Sequence, residues 1–225
     1  DLHYSLHSFP THALPISAGN TTSIGSKTFI YNDANRMNAV KQGNAVLESY
    51  GYNHRGERVL RTPAGGAAQI TLYDEAGQWL GNYSATGQAQ QQAIWLDNYP
   101  VALISVPGTG VPELAYVQPD HLGTPRVVID PVRDVTMWEW SNKSEVFGNQ
   151  IPSADPDGDG VAFELALRFA GQQATDASGL FYNYQREYDP AVGRYSQSDP
   201  LGLSAGMTTY AYVSSGPLGA ADPFG

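Results

Sequence analysis

Tyr73-Asp74-Glu75-Ala76-Gly77 is the third appearance of one short pattern, and that pattern decides the fold. Tyr31-Asn32-Asp33-Ala34-Asn35 and Tyr52-Asn53-His54-Arg55-Gly56 precede it, with the tyrosines 21 residues apart each time. Looser versions follow: Trp95 comes 22 residues later with Asp97 and Asn98 behind it, and Tyr116 comes 21 residues after that. Asn and Gly tolerate positive φ, and Asn and Asp side chains close local turns. Each unit therefore reads as an aromatic residue followed by a turn. The flanks read as strands. Ala45–Tyr52 puts Val46, Glu48, Tyr50 and Tyr52 on one face and Leu47, Ser49 and Gly51 on the other, and residues 69–73 and 78–83 have similar character. A unit of this length accommodates two strands of about six residues and two turns. One hairpin cannot bury its own face, so neighbours must stack into a continuous sheet. The expected fold is all-β, an antiparallel ribbon of hairpins.

Composition agrees. At 225 residues the chain is one large domain or two small ones. Only 15% of residues are charged, while tyrosine (14) and glycine (24) are abundant, which favours strands and turns over helices. Twelve basic against 22 acidic residues give a net charge of −10, which argues against a nucleic-acid partner. The absence of cysteine excludes disulfides and thiolate metal sites and fits synthesis in a reducing cytoplasm. No apolar run approaches the roughly 18 residues of a membrane span. Nothing resembles a signal peptide, and Asp1 reads as an internal position of a longer chain. Residues 1–25 read as an irregular segment. His3, His7 and His12 within it have only Asp1 as a nearby carboxylate and read as a loose surface stretch, not a metal site.

The repeat pattern breaks between Phe147 and Phe163. Asp155-Pro156-Asp157-Gly158-Asp159-Gly160 starts like a calcium loop, but its twelfth position is Ala166 where a bidentate glutamate belongs. A solvated acidic loop without metal is expected. Beyond it, Phe163, Leu165, Leu167 and Phe169 alternate with Glu164, Ala166, Arg168 and Ala170, which predicts a strand.

The candidate chemistry lies near the end. Asp199-Pro200-Leu201-Gly202 and Asp222-Pro223-Phe224-Gly225 repeat one tetrapeptide, with the aspartates 23 positions apart. Proline fixes its own φ and glycine allows close backbone approach. Two such turns packed side by side would bring the carboxylates together. Carboxylates within about 3 Å share one proton. The ionised member then activates water while the protonated member polarises a carbonyl. The alternative is a good β-turn used twice. No cysteine and no Gly-x-Ser-x-Gly offers a competing nucleophile. His121 reads as a turn residue bonded to nearby backbone rather than as a base.

Several segments resemble one family. The short repeats are similar to the YD repeats of rearrangement hotspot (Rhs) proteins, toxin-complex C subunits and teneurins. Tyr116–Arg126 resembles the segment that opens the Rhs-associated core, and residues 167–172 resemble its next strand. Gly179–Pro190 with Gly193-Arg194-Tyr195 resembles the family signature nearly position for position. Tyr210-Ala211-Tyr212-Val213 resembles the strand between the two Asp-Pro turns. The resemblance implies a ribbon forming part of a hollow shell, with the core curled inward as a plug. It implies an irregular segment over 1–25, repeats over 26–115 and the core over 116–225. It also implies that Asp199 and Asp222 cut the chain just beyond the second motif, within a cleavage frame of Pro200, Gly202, Pro223 and Gly225. Arg186 would orient a carboxylate or stabilise oxyanion charge, with Arg194 a weaker candidate. No cofactor is implied. The implied partners are a C-terminal toxin domain of the same precursor, upstream repeats of the shell, and a secretion apparatus. Synthesis in the bacterial cytoplasm would precede delivery to a target cell. Two rivals are a carbohydrate- or cell-surface-binding repeat module and an inactive shell fragment.

Overall fold

The computed structural model describes residues 16–108, 110–143 and 145–225, so His3, His7 and His12 lie outside the described residues. The fold is antiparallel β throughout, with two short 3-10 turns at Gly202–Ala205 and Val213–Ser215. A twelve-stranded meander runs in chain order from Ser23–Ile24 to Val135–Glu139, each strand pairing only with its sequence neighbours, and the sheet does not close. A four-stranded sheet, from Gln173–Thr175 to Arg194–Tyr195, follows it. A small hairpin pairs Ile16–Ser17 with Asn20–Thr21, so the segment expected to be irregular holds short strands.

The repeated pattern builds the meander through one reused turn. The side-chain oxygen Oδ1 of Asn32 accepts from Ala34 and Arg36 N–H, that of Asn53 from Arg55 and Glu57, and that of Asp74 from Ala76 and Gln78. The fourth residue of each turn, Asn35, Gly56 and Gly77, takes positive φ. This is the reason for Asn or Asp first and Gly or Asn fourth. The aromatic residue ahead of the turn reaches back one hairpin. Tyr31 Oη donates to Thr21 O (2.8 Å), Tyr52 to Met37 O, Tyr73 to Arg58 O (3.1 Å), and Trp95 Nε1 to Trp79 O (2.8 Å). The pattern thus fixes both the turn and the register of adjacent hairpins.

The looser units differ for local reasons. After Trp95 the turn shrinks to two residues, Asp97 and Asn98, with Asp97 at φ 52°. The fifth turn is Asp120–Gly123, with Pro119 in the aromatic position, while Tyr116 stands exposed within its strand. Strand Glu113–Pro119 spans the expected 115/116 boundary, so the ribbon is continuous there.

One face of the ribbon carries the core. Cross-strand partners Ala93, Leu103 and Ala115, and then Val117, Val128 and Trp138, point the same way. They pack with Phe169, Phe181, Tyr188, Tyr195 and Tyr212 of the following segment. The rings interlock: Trp140 and Phe169 centroids are 5.3 Å apart, and Tyr188 and Tyr212 are 4.9 Å apart. Such pairs add about 0.5–1.5 kcal/mol each beyond area burial. A second, smaller core around Phe29, Met37, Val40 and Tyr50 takes in Leu180.

Between the ribbon and the small sheet lies a fully buried ion pair, Arg58 with Glu187. Arg58 also donates to Thr175 Oγ1 (3.0 Å) and sits 4.1 Å from the ring centres of both Tyr50 and Tyr182. Burial pushes the Glu187 carboxyl up, and Arg58 opposes that shift.

Two expected strands are absent. Residues 163–170 keep the alternation, with Leu165, Leu167 and Phe169 buried, but gain no ladder partner beyond a single bridge from Leu167 to Gln173. Gly171, at φ +83°, reverses the chain immediately, so the segment resembling a strand over 167–172 ends in a turn. Tyr210–Val213 likewise makes one bridge, Ala211 to Arg194, and then bends because Val213, Ser214 and Ser215 all take positive φ.

Candidate functional site

Strand Arg186–Asp189 is the base of the site, and all four of its residues are buried. It pairs with Leu180–Asn183 across a two-residue turn whose first residue, Tyr184, has φ 53°. The register places Asn183 opposite Arg186. On the other side Tyr188 pairs with Tyr195. Asn183, Arg186 and Tyr195 therefore come from three neighbouring strands.

The first motif follows that sheet. Asp199 N–H donates to Thr209 O (2.8 Å), Leu201 N–H to Asp199 Oδ1 (2.8 Å), and Gly202 N–H to Asp199 O (2.9 Å). The small N-terminal hairpin supports this turn: Thr21 N–H donates to Ser196 O (2.8 Å) and Ser198 N–H to Gly19 O (3.0 Å). The second motif lies against the tip of the 180–189 hairpin, where Gln185 N–H donates to Phe224 O (3.1 Å). Phe224 meets Tyr184 edge-on at 5.4 Å.

Both motifs deliver their aspartates to one guanidinium. Arg186 Nη2 lies 3.0 Å from Asp199 Oδ2 and 3.2 Å from Asp222 Oδ2. Its other terminal nitrogen donates to Thr209 O (3.2 Å), in the segment linking the two motifs. The Arg186 side chain is 5% exposed, so the surface ion pair that would have made it unremarkable chemically is not what is found. Asp222, at 31%, is the more open to water. A cation between two carboxylates offsets their mutual repulsion. A guanidinium nitrogen joins this pair, where the sequence reading had a shared proton.

Two further residues complete the arrangement. Tyr195 Oη donates to Asp222 Oδ2 (2.7 Å), and its ring lies 3.6 Å beneath the Arg186 guanidinium carbon. Burial, then the Asp222 charge, holds the Tyr195 phenol well above its ordinary range, so it remains a donor. Asn183 Nδ2 donates to Tyr195 Oη (2.6 Å) and to the Asp222 carbonyl (2.9 Å). Both residues stand in the signature block, but only the hairpin register shows that they share a face with Arg186.

Other candidates fall elsewhere. Arg194 is exposed and pairs its backbone with Asp189 and Ala211. His121 Nε2 contacts the Leu218 carbonyl at 3.0 Å, a backbone partner remote in sequence. Asp155, Asp157 and Asp159 do cluster, but Arg133 Nη1 lies 2.9 Å from Asp157 and 2.6 Å from Asp159. A side-chain cation thus sits on the acidic loop. Among the described residues, no helix is long and apolar enough to cross a membrane.

No protein-family model matches the chain. Toxin protein Tse5 of Pseudomonas aeruginosa is 36% identical over 137 residues, covering 60% of this chain and 10% of Tse5. Double-stranded DNA deaminase toxin A of Burkholderia cenocepacia is 37% identical over 106 residues, covering 47% of this chain and 7% of that protein. Probable deoxyribonuclease RhsA of Dickeya dadantii is 31% identical over 205 residues, covering 87% of this chain and 13% of RhsA. The chain thus spans about a tenth of the length of these relatives. In fold it is similar to a chain of the Photorhabdus luminescens Tc holotoxin pore, with a TM-score of 0.67 at 18% identity over 91% of this chain and 10% of that one. The resemblance to Rhs proteins and related toxins therefore holds in sequence, and that to toxin-complex chains holds in fold.

Proposed function

We propose that this chain is the C-terminal part of a bacterial polymorphic toxin shell that frees a C-terminal toxin by cutting its own backbone just after Asp222-Pro223-Phe224-Gly225. The ribbon from residue 26 to Glu139, which runs on through the 115/116 boundary, is shell wall, the chain that follows it is the inward-curled core, and further repeats upstream complete the enclosure. The observation that carries the reading is Arg186, whose one nitrogen contacts an aspartate from each Asp-Pro-x-Gly motif. Two isolated β-turns would have no reason to converge on a buried cation.

The reaction is hydrolysis of one peptide bond. The ionised carboxylate takes a proton from water while the water oxygen bonds to the scissile carbonyl carbon. Arg186 orients the carboxylates and offsets charge on the carbonyl oxygen as it develops. The carbon–nitrogen bond then breaks, and the leaving nitrogen takes the proton that the carboxylate drew from water. The products are a new C-terminal carboxylate, still attached to the core, and the free amine of the toxin segment. Each molecule turns over once.

The relatives support a carrier role. Similar segments occur in proteins named as a DNA deaminase toxin and as a probable deoxyribonuclease. A segment shared by proteins with such different named activities suits common packaging better than a particular toxic chemistry. Synthesis in the cytoplasm followed by export through a secretion apparatus fits this reading. The test is a precursor extending naturally past Gly225. Asp199→Asn and Asp222→Asn are each expected to remain uncut on a denaturing gel while the parent chain is cut, and full cleavage in either variant sinks the dyad.

A further inference from the structure

The second motif is seated as a bound peptide. Asn183 Nδ2 donates to the Asp222 carbonyl (2.9 Å), and two residues on, Gln185 N–H donates to the Phe224 carbonyl (3.1 Å). One donor is a side-chain amide and the other a backbone N–H of the hairpin turn, and together they hold the two ends of the Pro223–Phe224 turn. The fit is tight on both sides. A Cβ on Gly225, which has φ +68°, would lie 2.0 Å from Asn183 O, and a Cβ on Gly171 would lie 2.1 Å from Pro223 O. Backbone thus grips backbone, and only glycine at each position admits it.

Asn183 governs this seat. Its side-chain amide holds the Asp222 carbonyl directly and the Asp222 carboxylate through Tyr195. The residue is 0% exposed, yet its Oδ1 has no hydrogen-bond partner among the described residues. A buried acceptor left unpaired lowers stability. Folding alone does not account for an asparagine here, whereas one bond donated to the Asp222 carbonyl and one to the Tyr195 hydroxyl that holds its carboxylate do.

We infer that Asn183 is a positioning residue of the self-cleavage site and that hairpin tip 183–186 is the groove that seats Asp222–Gly225. The inference rests on the self-cleavage reading above. The seat also explains single turnover, because the segment that stays attached to the core continues to fill the groove.

Asn183→Asp in the full precursor tests it. An ionised carboxylate at 183 cannot donate to the Asp222 carbonyl and repels the Asp222 carboxylate, which otherwise faces Arg186, Tyr195, Tyr212 and Asp199. A protonated carboxyl at 183 can donate. Cleavage is expected to slow by about tenfold or more at pH 7 and, relative to wild type at the same pH, to recover in part as the pH falls toward about 5, where carboxyls begin to protonate and the single O–H at 183 can again donate to the Asp222 carbonyl. A purely structural role would not give acid recovery. Near-ultraviolet circular dichroism checks folding. Should Asn183→Asp not fold, Gly225→Ala, in the last turn of the described chain, serves instead, with the same loss of about tenfold or more expected. Wild-type rate and pH profile in Asn183→Asp, or wild-type rate in Gly225→Ala, overturns the groove. Asp199→Asn and Asp222→Asn run alongside separate the two claims. If these stay uncut while Asn183→Asp behaves as wild type, the groove alone fails; if they cleave, the self-cleavage reading itself fails.

Discussion

Replacing Arg58 with methionine removes the cation that locks the small sheet to the ribbon. The side chains of Arg58 and Glu187 are each 3% exposed, so neither charge is screened by solvent. Truncating one member of a buried pair costs about 3–5 kcal/mol, because the other charge stays buried and unpaired. Arg58 also stacks between the Tyr50 and Tyr182 rings, and desolvated cation–π contacts contribute up to about 2 kcal/mol each. Against a typical total of about 5–15 kcal/mol, the loss is severe. It depends on pH. Glu187 is already displaced upward by burial, and losing Arg58 displaces it further. A raised carboxyl gives stability that is present below its unfolded value and is lost as pH rises through its folded value. Arg58→Met should therefore be closer to wild type at acid pH than at pH 7. Urea unfolding at both pH values, with Glu187→Met and the double variant, completes the cycle. The double variant is expected to regain the part of the loss that comes from the unpaired charge, since two apolar residues leave no buried charge, but not the cation–π contacts. A double variant as unstable as Arg58→Met, with no pH dependence in either, refutes the reasoning.

Other perturbations follow from the same physics. Burial raises the phenols of Tyr31, Tyr50, Tyr52, Tyr73, Tyr182, Tyr188, Tyr195 and Tyr212, and Tyr184 is pushed up to about 12. Folded-state values above the unfolded value of about 10 mean stability that is intact below that pH and lost above it, at about 1.4 kcal/mol per pH unit per tyrosine. Phenolate absorbance and far-ultraviolet circular dichroism should therefore change in one cooperative step in alkali, and gradual independent titration contradicts this. Asp74→Ala removes the acceptor of two turn N–H groups and should cost about 1 kcal/mol in urea unfolding with the slope unchanged; no loss at all would show that the turn is held by backbone bonds alone. Phe169→Ala empties the centre of the aromatic core and should cost about 3–5 kcal/mol; a loss under about 1 kcal/mol argues against that core. Millimolar calcium should leave the melting temperature unchanged, because Arg133 occupies the acidic loop, and a clear rise would show that the ion displaces it.

What the sequence disclosed and what it hid divide along one physical line. The turns at Asn32, Asn53 and Asp74 are local: the side chain that closes each is within four residues of the N–H groups it accepts, so spacing alone reveals them. Strands Ala45–Tyr52 and Gln69–Tyr73 sit between such turns and fall at the expected residues. Residues 163–170 have the alternation of a strand because Leu165, Leu167 and Phe169 face a core, yet ladder partners are set by distant chain. Tyr210–Val213 fails similarly, since Tyr212 is drawn into that core and the next three residues turn. The duplicated motif marked Asp199 and Asp222, and the family signature marked Arg186. Asn183 and Tyr195 went unassigned, because their value comes from a register across three strands. Gly171 is a turn residue by local geometry, at φ +83°, but the close approach of Pro223, far along the chain, is a second demand for glycine that no local pattern reveals.

The most direct test of self-cleavage is intact-mass spectrometry of the purified precursor, incubated in ¹⁸O-enriched water over a range of dilutions. The expected result is a new C-terminus within a residue or two of Gly225, carrying one ¹⁸O, formed at a rate independent of concentration and absent in Asp199→Asn and Asp222→Asn. A cut elsewhere, a rate that falls on dilution, or ¹⁸O-labelled product from either variant would contradict the account.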